Sequence, residues 1–548
     1  MTRNILFIMC DQLRYDYLGC TGHSKLQTPA IDALARRGVI FRNAYVQSTI
    51  CGPSRMSAYT GRYVRSHGSS QNGVPLRIGE PTLGDYLRGI GVRPVLIGKT
   101  HMVADEEGMA RLGIARGSVI GVEASQCGFE PFERDDGLHP GKPKSGQEAY
   151  SDYLHAKGYD GESPWESWAN SAQAEDGTLL DGWLLSHADK PARIPDEDSE
   201  TPYLTSRAIE FMRMAQADRR PWCVHLSYIK PHWPYIVPAP YHAMYGVGDV
   251  LPPVRDEGEL LDQHPIMAAF RRERVSQAFA RDEVRKRVIP AYMGLIRQID
   301  DQLARLFKFM EEGHLLDDTL IVFTSDHGDY LGDHWLGEKQ LFHDASVRVP
   351  MIVVDPDRRA DGTRGSISDA LVEMIDIAPT FLDWHGRPVP RHVLEGRSLL
   401  PLLRGEALPS WRETVISEYD YAWDAARVDL DVGIEDCRMT MLFDGQWKYV
   451  HVPGFRPMLF DLQSDPNELR DVGGNPGLTD VHERMMGRLL RWYRHACSRI
   501  TYPDERILKG AECSAIYDRF LDDGIKIGYW DEAEVARELE KKRSGGFA

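Results

Sequence analysis

The chain has 548 residues, of which 42% are hydrophobic and 27% charged, and its formal net charge at pH 7 is −17. This length is too great for one simple domain and allows a large core with at least one smaller unit. A protein this acidic is a poor candidate for binding nucleic acid or an anionic membrane surface, because both are polyanions. It can still bind a small anion where positive side chains are concentrated in one cleft.

The amino terminus carries an apolar run, residues 5–10, that is short and is ended by Asp11. A secretory signal needs a longer apolar stretch with a small-residue cleavage site, and a membrane helix needs about 20 apolar residues. We therefore expect a cytoplasmic protein. The eight cysteines form no CxxC pair, which argues against a disulfide scaffold and against a zinc finger.

Short apolar runs alternate with helical stretches over most of the chain. The runs that predict strands are 5–9, 94–97, 222–226, 320–323 and 350–354. Their apolar character on both faces is typical of strands in a covered parallel sheet. Between them, Thr28-Pro29 opens a helix that Gly38 closes. Thr201-Pro202 opens another, and an apolar stripe marks a long helix at about 288–310. The alternation predicts an α/β sandwich.

Three later regions differ from this pattern. Residues 125–200 are rich in Gly, Asp, Glu, Ser and Pro, and indicate an insertion or lid of a catalytic domain (1–404) rather than a sheet element. Residues 405–490 contain short strand-like runs with an Asp444-Gly445 turn, and predict a small antiparallel subdomain. Residues 491–548 are polar and charged, and we expect a tail that packs on the main domain or on a neighbouring subunit.

Chemically reactive side chains follow four of the predicted strands. They are Asp11 and Gln12, Lys99 and His101, Lys230 and His232, and Asp326 and His327. Ligands bind beyond the carboxyl ends of the strands in open parallel sheets, so these residues are expected at one edge. A single residue in such a place is more often a cap or a surface residue, but four strands that deliver them together favour one site.

Asp11, Asp326 and His327 offer two hard oxygen ligands and one nitrogen. This donor set suits a divalent cation with an open coordination position. The alternative is that Asp326 and His327 cap the glycine-containing turn that follows them. The metal hypothesis is favoured mainly because Asp11 follows an equivalent strand.

The pentapeptide Cys51-Gly52-Pro53-Ser54-Arg55 is the most specific signal in the chain. Pro53 and the residues after it indicate that Cys51 starts a helix, and a helix N-terminus favours bound anions and lowers a thiol pKa. An ordinary helix start is one alternative. A cysteine-dependent phosphatase is another, but its phosphate loop needs more than three residues between the cysteine and the arginine.

This pentapeptide, followed by Thr60-Gly61-Arg62, resembles the signature of the sulfatase family in the alkaline phosphatase superfamily. Further family elements are matched along most of the chain, at Lys99-Thr100-His101, Lys230-Pro231-His232, 324–328, Lys339 and 459–462. The resemblance implies an alkaline-phosphatase-like sandwich with a large, mostly parallel sheet and a small C-terminal antiparallel-sheet subdomain. It also implies that Cys51 is oxidised to formylglycine by a formylglycine-generating enzyme, and that the hydrated aldehyde is the nucleophile.

The resemblance assigns roles to the candidate residues. One divalent metal ion, Mn²⁺ or Ca²⁺, is expected to be held by Asp11, Cys51, Asp326 and His327. Arg55, Lys99 and Lys339 are expected to neutralise charge on the sulfuryl oxygens. His232, with Lys339, is the expected proton donor to the leaving oxygen. His101 is the expected base that deprotonates the formylglycine hydrate later in the cycle.

The site residues match two subgroups of the family. Gln12 stands where many sulfatases have a second aspartate, and His327 where many have asparagine. With Asn72 in the 70–76 segment, both resemble the phosphonate monoester hydrolases and phosphodiesterases, which are commonly tetramers. Lys99 and His101 instead match arylsulfatases. Gln12, Asn72 and Lys99 are the expected substrate-binding residues, and a homotetramer is the expected assembly.

Three functions remain open at this point. The first is an arylsulfatase-type hydrolase of sulfate monoesters, promiscuous towards phosphonate monoesters and phosphodiesters. The second is a phosphonate monoester or phosphodiester hydrolase that uses the same nucleophile. The third is a non-catalytic binding protein of the same fold. The expected partners are a small anionic ester and the maturation enzyme, and neither nucleic acid nor a membrane is expected.

Overall fold

The computed structural model describes residues 3–137, 149–218, 220–495, 499–512, 521 and 523–544. The strands are β1 Asn4–Asp11, β2 Val39–Tyr45, β3 Arg93–Gly98, β4 Glu130–Arg134, β5 Ser171–Gln173, β6 Leu179–Asp181, β7 Trp222–Pro231, β8 Thr319–Ser325, β9 Met351–Val354, β10 Ser366–Glu373, β11 Val415–Asp420, β12 Arg438–Phe443, β13 Trp447–His451 and β14 Met458–Asp461. The helices are α1 Pro29–Arg37, α2 Cys51–Thr60, α3 Val64–His67, α4 Leu83–Gly89, α5 Glu106–Arg111, α6 Val119–Ala124, α7 Ala149–Ala156, α8 Glu200–Asp218, α9 Pro265–Arg271, α10 Arg274–Phe279, α11 Asp282–Glu312, α12 Asp344–Val347, α13 Ile377–Trp384, α14 Leu400–Leu403, α15 Ala425–Asp429, α16 Thr479–Arg494, α17 Asp504–Glu512 and α18 Glu532–Arg543.

Eight strands form the main sheet, in the order β10-β2-β9-β8-β1-β7-β3-β4. Neighbouring strands are parallel except at β9, which runs antiparallel to both β2 and β8. All five strands predicted from apolar runs are present, as β1, β3, β7, β8 and β9. The expected fold class, an α/β sandwich with a large and mostly parallel sheet, is confirmed.

The central strand β1 shows why the main sheet is covered on both faces. All of its residues are buried. Ile5, Phe7 and Met9 pack into one apolar core, which also contains buried residues of α2 and α13. Residues 6, 8 and 10 pack into a second core with buried residues of α1, α8 and α11. A strand with no solvent-facing side has no reason to alternate apolar and polar residues.

The helices predicted from sequence are present, with some ends shifted. α1 starts at Pro29 and is followed by Gly38, as expected. The long helix α11 starts at Asp282, earlier than predicted, because its first turns are mostly charged and Val284 is the one apolar residue before Val288. The stripe itself is buried along its length, as an amphipathic helix packed on a sheet requires.

One part of the interpretation of residues 125–200 is wrong. The segment Glu130–Arg134 is not outside the sheet but forms β4, its edge strand, parallel to β3. It was missed because an edge strand is only half buried and tolerates proline and charged residues, as in its sequence Glu-Pro-Phe-Glu-Arg. Further on, β5 and β6 form a two-stranded antiparallel sheet. Residues 138–148 of the predicted lid lie outside the described residues.

The four C-terminal strands form a separate antiparallel sheet in the order β11-β12-β13-β14. The predicted turn at Asp444-Gly445 joins β12 to β13, and Asp444 Oδ1 accepts the backbone N–H of Trp447 at 2.8 Å. Helix α16 covers this sheet through Met485 and Leu489, which pack on apolar residues of β11, β12, β13 and β14. The assignment of residues 491–548 as an oligomer contact stays a prediction.

The six cysteines among the described residues are free thiols, and Cys497 and Cys513 lie outside that part of the chain. Among the described residues, no helix combines the length and the hydropathy that a bilayer crossing demands.

A buried ion cluster ties the C-terminal sheet to the main domain. Lys448 on β13 is fully buried, and its Nζ lies 2.6 Å from Asp344 Oδ1 and 2.5 Å from Glu468 Oε1. The same nitrogen donates to the carbonyl oxygen of Phe342 at 3.0 Å. Removing the cation would leave two carboxylates facing each other without water, which is costlier than losing the pair as a whole.

We expect Lys448→Met to lower the free energy of unfolding by about 3–5 kcal/mol, because Asp344 and Glu468 lose their only shared cation. The matched control is Arg42→Met, which breaks an exposed pair with Asp369 and should cost under about 1 kcal/mol. Urea unfolding followed by tryptophan fluorescence measures both. Equal shifts of the two midpoints would show that the buried cluster contributes no special stability.

Candidate active site

The strands that carry the predicted site residues are neighbours in the main sheet. Their order is β8-β1-β7-β3, and all of these pairs are parallel, so their carboxyl ends meet at one edge. Asp11 ends β1, and Asp326, Lys99 and His232 follow the ends of β8, β3 and β7. The expected convergence of these side chains is what the structure has.

Cys51 is the first residue of α2 and points into this group of side chains. Its Sγ lies 3.1 Å from His327 Nε2, 3.6 Å from Lys339 Nζ and 3.7 Å from Asp11 Oδ1. Burial by itself raises the pKa of the Cys51 thiol, but Lys339, Lys99 and His327 outweigh it and hold that pKa well below its usual range. The position therefore favours negative charge on whatever atom occupies it.

Four side chains have donor atoms close enough together to hold one cation. These are Asp11, Cys51, Asp326 and His327, whose donor atoms all lie within 4.8 Å of one another. His327 Nδ1 lies 2.9 Å from the carbonyl oxygen of Gly328. A carbonyl oxygen can only accept, so Nδ1 carries the hydrogen and the lone pair of Nε2 faces the other donors. The residues therefore fit the divalent metal site predicted from the sequence.

Arg55 does not take the position expected for a residue that binds the sulfuryl oxygens. It is fully buried. Its Nε lies 2.7 Å from Asp326 Oδ2, and its Nη2 lies 3.3 Å from Asp11 Oδ2. Its Nη1 donates to Ser227 Oγ at 2.7 Å and to the carbonyl oxygen of Lys99 at 3.0 Å. All three nitrogens are thus used to hold protein groups. The structure thus gives Arg55 a positioning role beneath the site, and its expected action on the sulfuryl oxygens stays a prediction.

Gln12 connects the ends of two strands to Lys339. Its side-chain oxygen accepts from Lys339 Nζ at 2.8 Å, and its amide nitrogen donates to Asp329 and, at 3.2 Å, to Tyr235 Oη. Its backbone N–H donates to Asp326 Oδ1 at 3.0 Å. Gln12 has a positive φ of 67° and is fully buried, so the structure uses it to orient Lys339. Its expected role in binding substrate stays a prediction.

Lys99 and His101 lie side by side after β3. Lys99 Nζ is 2.5 Å from Asp11 Oδ2, and the pair is buried. His101 has a φ of 55°, and its backbone N–H and that of Thr100 both donate to Asp136 Oδ1, at 3.1 and 3.0 Å. Burial raises the pKa of Asp136, but Arg134 and His101 lower it to about 2, so it is a carboxylate at neutral pH. Asp136 thus fixes a strained backbone turn that presents His101.

His232 follows β7 and has its ring fixed by the backbone. Its Nδ1 lies 2.8 Å from the carbonyl oxygen of Trp233, so Nδ1 carries the hydrogen, and in the neutral ring Nε2 is an acceptor. Burial lowers the pKa of His232 to about 4, against the attraction of Asp11. At neutral pH this histidine is therefore neutral. Lys339 instead keeps its proton at neutral pH. Burial lowers its pKa, but Cys51, Glu338 and Asp11 outweigh burial and raise that pKa above its usual value.

A cavity of about 420 Å³ opens over Cys51. Of the residues predicted from the sequence, Cys51, Asn72, His101, His232 and Lys339 line it. Asp11, Gln12, Arg55, Asp326 and His327 lie beneath it with no exposed surface. Asn72 Oδ1 accepts the backbone N–H of Gly52 at 2.8 Å, which ties this side chain to the start of α2.

The profile of the sulfatase family matches residues 3–387 of this chain. The chain belongs to the sulfatase family. A second profile, described as the C-terminal region of N-sulphoglucosamine sulphohydrolase, matches residues 332–495. The family acts on anionic sulfate esters, so this sulfatase is an enzyme that hydrolyses sulfate or related esters. Family membership also implies a metal ion and a formylglycine, for which Cys51 and its neighbours are suitably placed.

Relatives of this sulfatase include both arylsulfatases and phosphonate hydrolases. It is 33% identical to the multifunctional alkaline phosphatase superfamily protein PehA of Trinickia caryophylli, over 92% of this chain and 98% of that protein. It is 28% identical to an arylsulfatase of Clostridium perfringens, over 86% and 90%. Among solved structures, the phosphonate monoester hydrolase of Silicibacter pomeroyi superposes with a TM-score of 0.78 at 29% identity, covering 90% of this chain and 96% of that one.

Several residues around the site were not found from the sequence. Asp136 was missed because it lies two residues after β4, in the region interpreted as an insertion. Asp329 follows the Asp326-His327 motif but was not considered. Trp423 and Asp424 line the cavity from the C-terminal subdomain, and only the folded chain brings them there.

We expect Asp136→Ala to lower kcat for a sulfate ester about 10- to 100-fold with little change in KM, because the turn that presents His101 loses its two acceptor bonds. Asp136→Asn is the matched control, since its Oδ1 can still accept both backbone N–H groups. It should retain most of the activity. Steady-state kinetics on variants of equal thermal stability provide the test, and equal losses in both variants would contradict a positioning role for the Oδ1 atom.

Proposed function

We propose that this sulfatase hydrolyses sulfate monoesters of the arylsulfatase type, with a formylglycine formed from Cys51. The observation that carries the proposal is the position of Cys51 itself. Its side chain lies at the floor of a cavity, beside the protonated Lys339 and the metal-ligand set of Asp11, Asp326 and His327. Lys99 and His101, the pair typical of arylsulfatases, lie beside it.

Two groups would complete the site. A divalent metal ion, Mn²⁺ or Ca²⁺, held by Asp11, Asp326, His327 and residue 51, would polarise an ester oxygen and lower the pKa of a hydroxyl at position 51. Formylglycine at position 51 would supply, as its hydrate, both a nucleophilic hydroxyl and a second hydroxyl for release of the product.

The charges beneath and around the floor of the cavity would attract the sulfuryl group, and the buried Arg55 would act only through its charge, without direct contact. Arg55, Lys99 and Lys339 carry three positive charges against the two negative charges of Asp11 and Asp326. A bound divalent cation would make this balance more positive still. An anionic ester is thus attracted to this point of a protein whose net charge is −17. Asn72 adds a neutral hydrogen-bond donor at the edge of the same cavity.

Lys339 is the group we propose as the proton donor to the leaving oxygen. It is protonated at neutral pH and lines the cavity, whereas His232 is neutral with Nε2 as an acceptor. His232 would share this role only after a bound anion has raised its pKa. His101 is proposed as the base that removes a proton at position 51, because its ring interacts with that side chain.

The second candidate is hydrolysis of phosphonate monoesters and phosphodiesters. It is supported by Gln12 and His327, and by the likeness to the phosphonate monoester hydrolase of Silicibacter pomeroyi. Sulfuryl and phosphonyl transfer share a geometry but differ in charge, so one site can serve both. We rank sulfate first because Lys99 and His101 match the residues of arylsulfatases at these positions. Maturation by a formylglycine-generating enzyme and assembly as a homotetramer belong to the same proposal.

The test compares kcat/KM on p-nitrophenyl sulfate with kcat/KM on p-nitrophenyl phenylphosphonate. We expect the sulfate value to be higher, and a higher phosphonate value would reverse the ranking. The protein used should have a measured formylglycine content, which lowers the intact mass by about 18 Da per converted cysteine. Elemental analysis of the same sample should find one divalent cation per chain. Conversion of Cys51 with no hydrolysis of either ester would contradict the proposed function.

We expect Lys339→Met to slow esters of poor leaving groups far more than p-nitrophenyl sulfate. Loss of a general acid costs about 10²- to 10⁴-fold where the leaving alcohol needs a proton, and little where a nitrophenolate leaves unaided. Lys339→Arg is the control, because it keeps the charge without an easily released proton. A plot of log kcat against leaving-group pKa should steepen in both variants. An unchanged slope would assign the proton to another residue.

A further inference from the structure

The cavity over Cys51 has two ends of opposite character. Its floor is the anion-binding end described above. Its more exposed lining, here called the mouth, is aromatic and acidic and comprises Trp233, Glu338, Trp423 and Asp424. Lys339, at the floor, is the single lysine or arginine among the described residues that line this cavity. The mouth is therefore acidic and aromatic, although a sulfate ester carries a negative charge.

The carboxylates near the mouth lack cationic partners. Within the described part of the chain, neither Asp424 nor Glu273 lies within 4.0 Å of a lysine or arginine nitrogen. Burial, with the repulsion of Asp424 and Glu338, raises the pKa of Glu273 to about 7. Burial and the nearby Asp420 raise that of Asp424, whose carboxylate accepts a hydrogen bond from Tyr419. Glu338 has a cationic partner, because Lys339 Nζ lies 3.6 Å from its Oε2. The same nitrogen, however, donates a shorter hydrogen bond to Gln12 Oε1, at 2.8 Å.

Two tryptophans stand beside these carboxylates. Trp423 is 74% exposed, which is unusual for the largest aromatic side chain, and it immediately precedes Asp424. Trp233 packs on His232, with the ring centroids 4.3 Å apart, and is itself backed by Trp183 at 5.4 Å. An exposed aromatic face next to an unpaired carboxylate attracts an organic cation, through the ring quadrupole and through charge.

We propose that the natural ester of this sulfatase is zwitterionic, with an alcohol that carries an ammonium group bound between Trp423 and Asp424. This deepens the proposed function and rests on it. The reaction breaks the bond between sulfur and the alcohol oxygen; water supplies the oxygen that sulfur gains and the proton that the alcohol gains. The products are sulfate, a proton and the ammonium-bearing alcohol.

A larger cavity of about 1170 Å³ lies on the far side of His101 and does not offer an equivalent position. It is lined by Lys99 and His101 but not by Cys51 or Lys339. A leaving group placed there would be separated from the proposed proton donor. Its charged residues are also mixed in sign, with Arg116 and Arg134 opposite acidic residues at 105–107 and Asp136.

The test uses a matched pair of alkyl esters, 2-(trimethylammonio)ethyl sulfate and its neutral isostere 3,3-dimethylbutyl sulfate. The two have the same shape and differ in one charge, so the ratio of their kcat/KM values isolates the cation site. We expect the charged ester to be favoured at least about tenfold. If either turns over too slowly, its inhibition constant against p-nitrophenyl sulfate replaces kcat/KM in the ratio. A third ester, 2-aminoethyl sulfate, distinguishes a primary from a quaternary ammonium.

Two variants locate the effect. Asp424→Asn and Trp423→Leu should each bring the charged-to-neutral ratio towards one. The control is Asp436→Asn, which removes the same charge from an exposed position of the same subdomain and should leave the ratio unchanged. A ratio near one in the parent enzyme, or an equal fall in all three variants, would overturn the inference while hydrolysis of p-nitrophenyl sulfate still supports the proposed function. Failure to hydrolyse any sulfate ester would instead remove the proposed function.

Discussion

A buried guanidinium bridges the two strands on which the site depends. Arg55 reaches from the first turn of α2 to Asp11 at the end of β1 and to Asp326 just after β8. Two buried carboxylates this close would repel each other, and their charge has no water to screen it. The guanidinium holds both in place before any metal ion binds. Arg55 lies four residues after Cys51 on α2. The same contact therefore fixes the position of Cys51 relative to Asp11 and Asp326.

The rest of the site extends from that bridge in two directions. On one side, Gln12 accepts from Lys339, so the proposed acid is oriented by the residue that follows Asp11. On the other, Lys99 pairs with Asp11 and leads to His101, whose backbone is held by Asp136 on the edge of the sheet. Lys339 and the turn that carries His101 are thus each held by a polar side chain that follows a different strand, which helps to keep the geometry of the site rigid.

The sequence predicted the centre of this arrangement better than its margins. Covered parallel strands are apolar on both faces, so β1 and β8 were recognisable, and Asp11 and Asp326 after them were placed correctly at one edge. The direction of a side chain is a different matter. The motif gives the identity of Arg55 but not the side of α2 from which its side chain extends, so its bridge between Asp11 and Asp326 was not predicted. Asp136 was missed because a half-buried edge strand has no apolar run to mark it.

The mouth of the cavity was beyond sequence reasoning for another physical reason. Trp423 and Asp424 lie far along the chain from Cys51, and their approach depends on how the C-terminal sheet docks, which Lys448 and its buried carboxylates help to fix. No local pattern encodes such a contact. Under the proposed function this contact would determine specificity, because the floor of the cavity would bind any sulfuryl group and only the mouth could distinguish one alcohol from another. An acidic mouth above a cationic floor is therefore compatible only with a leaving group that is neutral or positive. An anionic leaving group would be repelled along its whole path to Cys51.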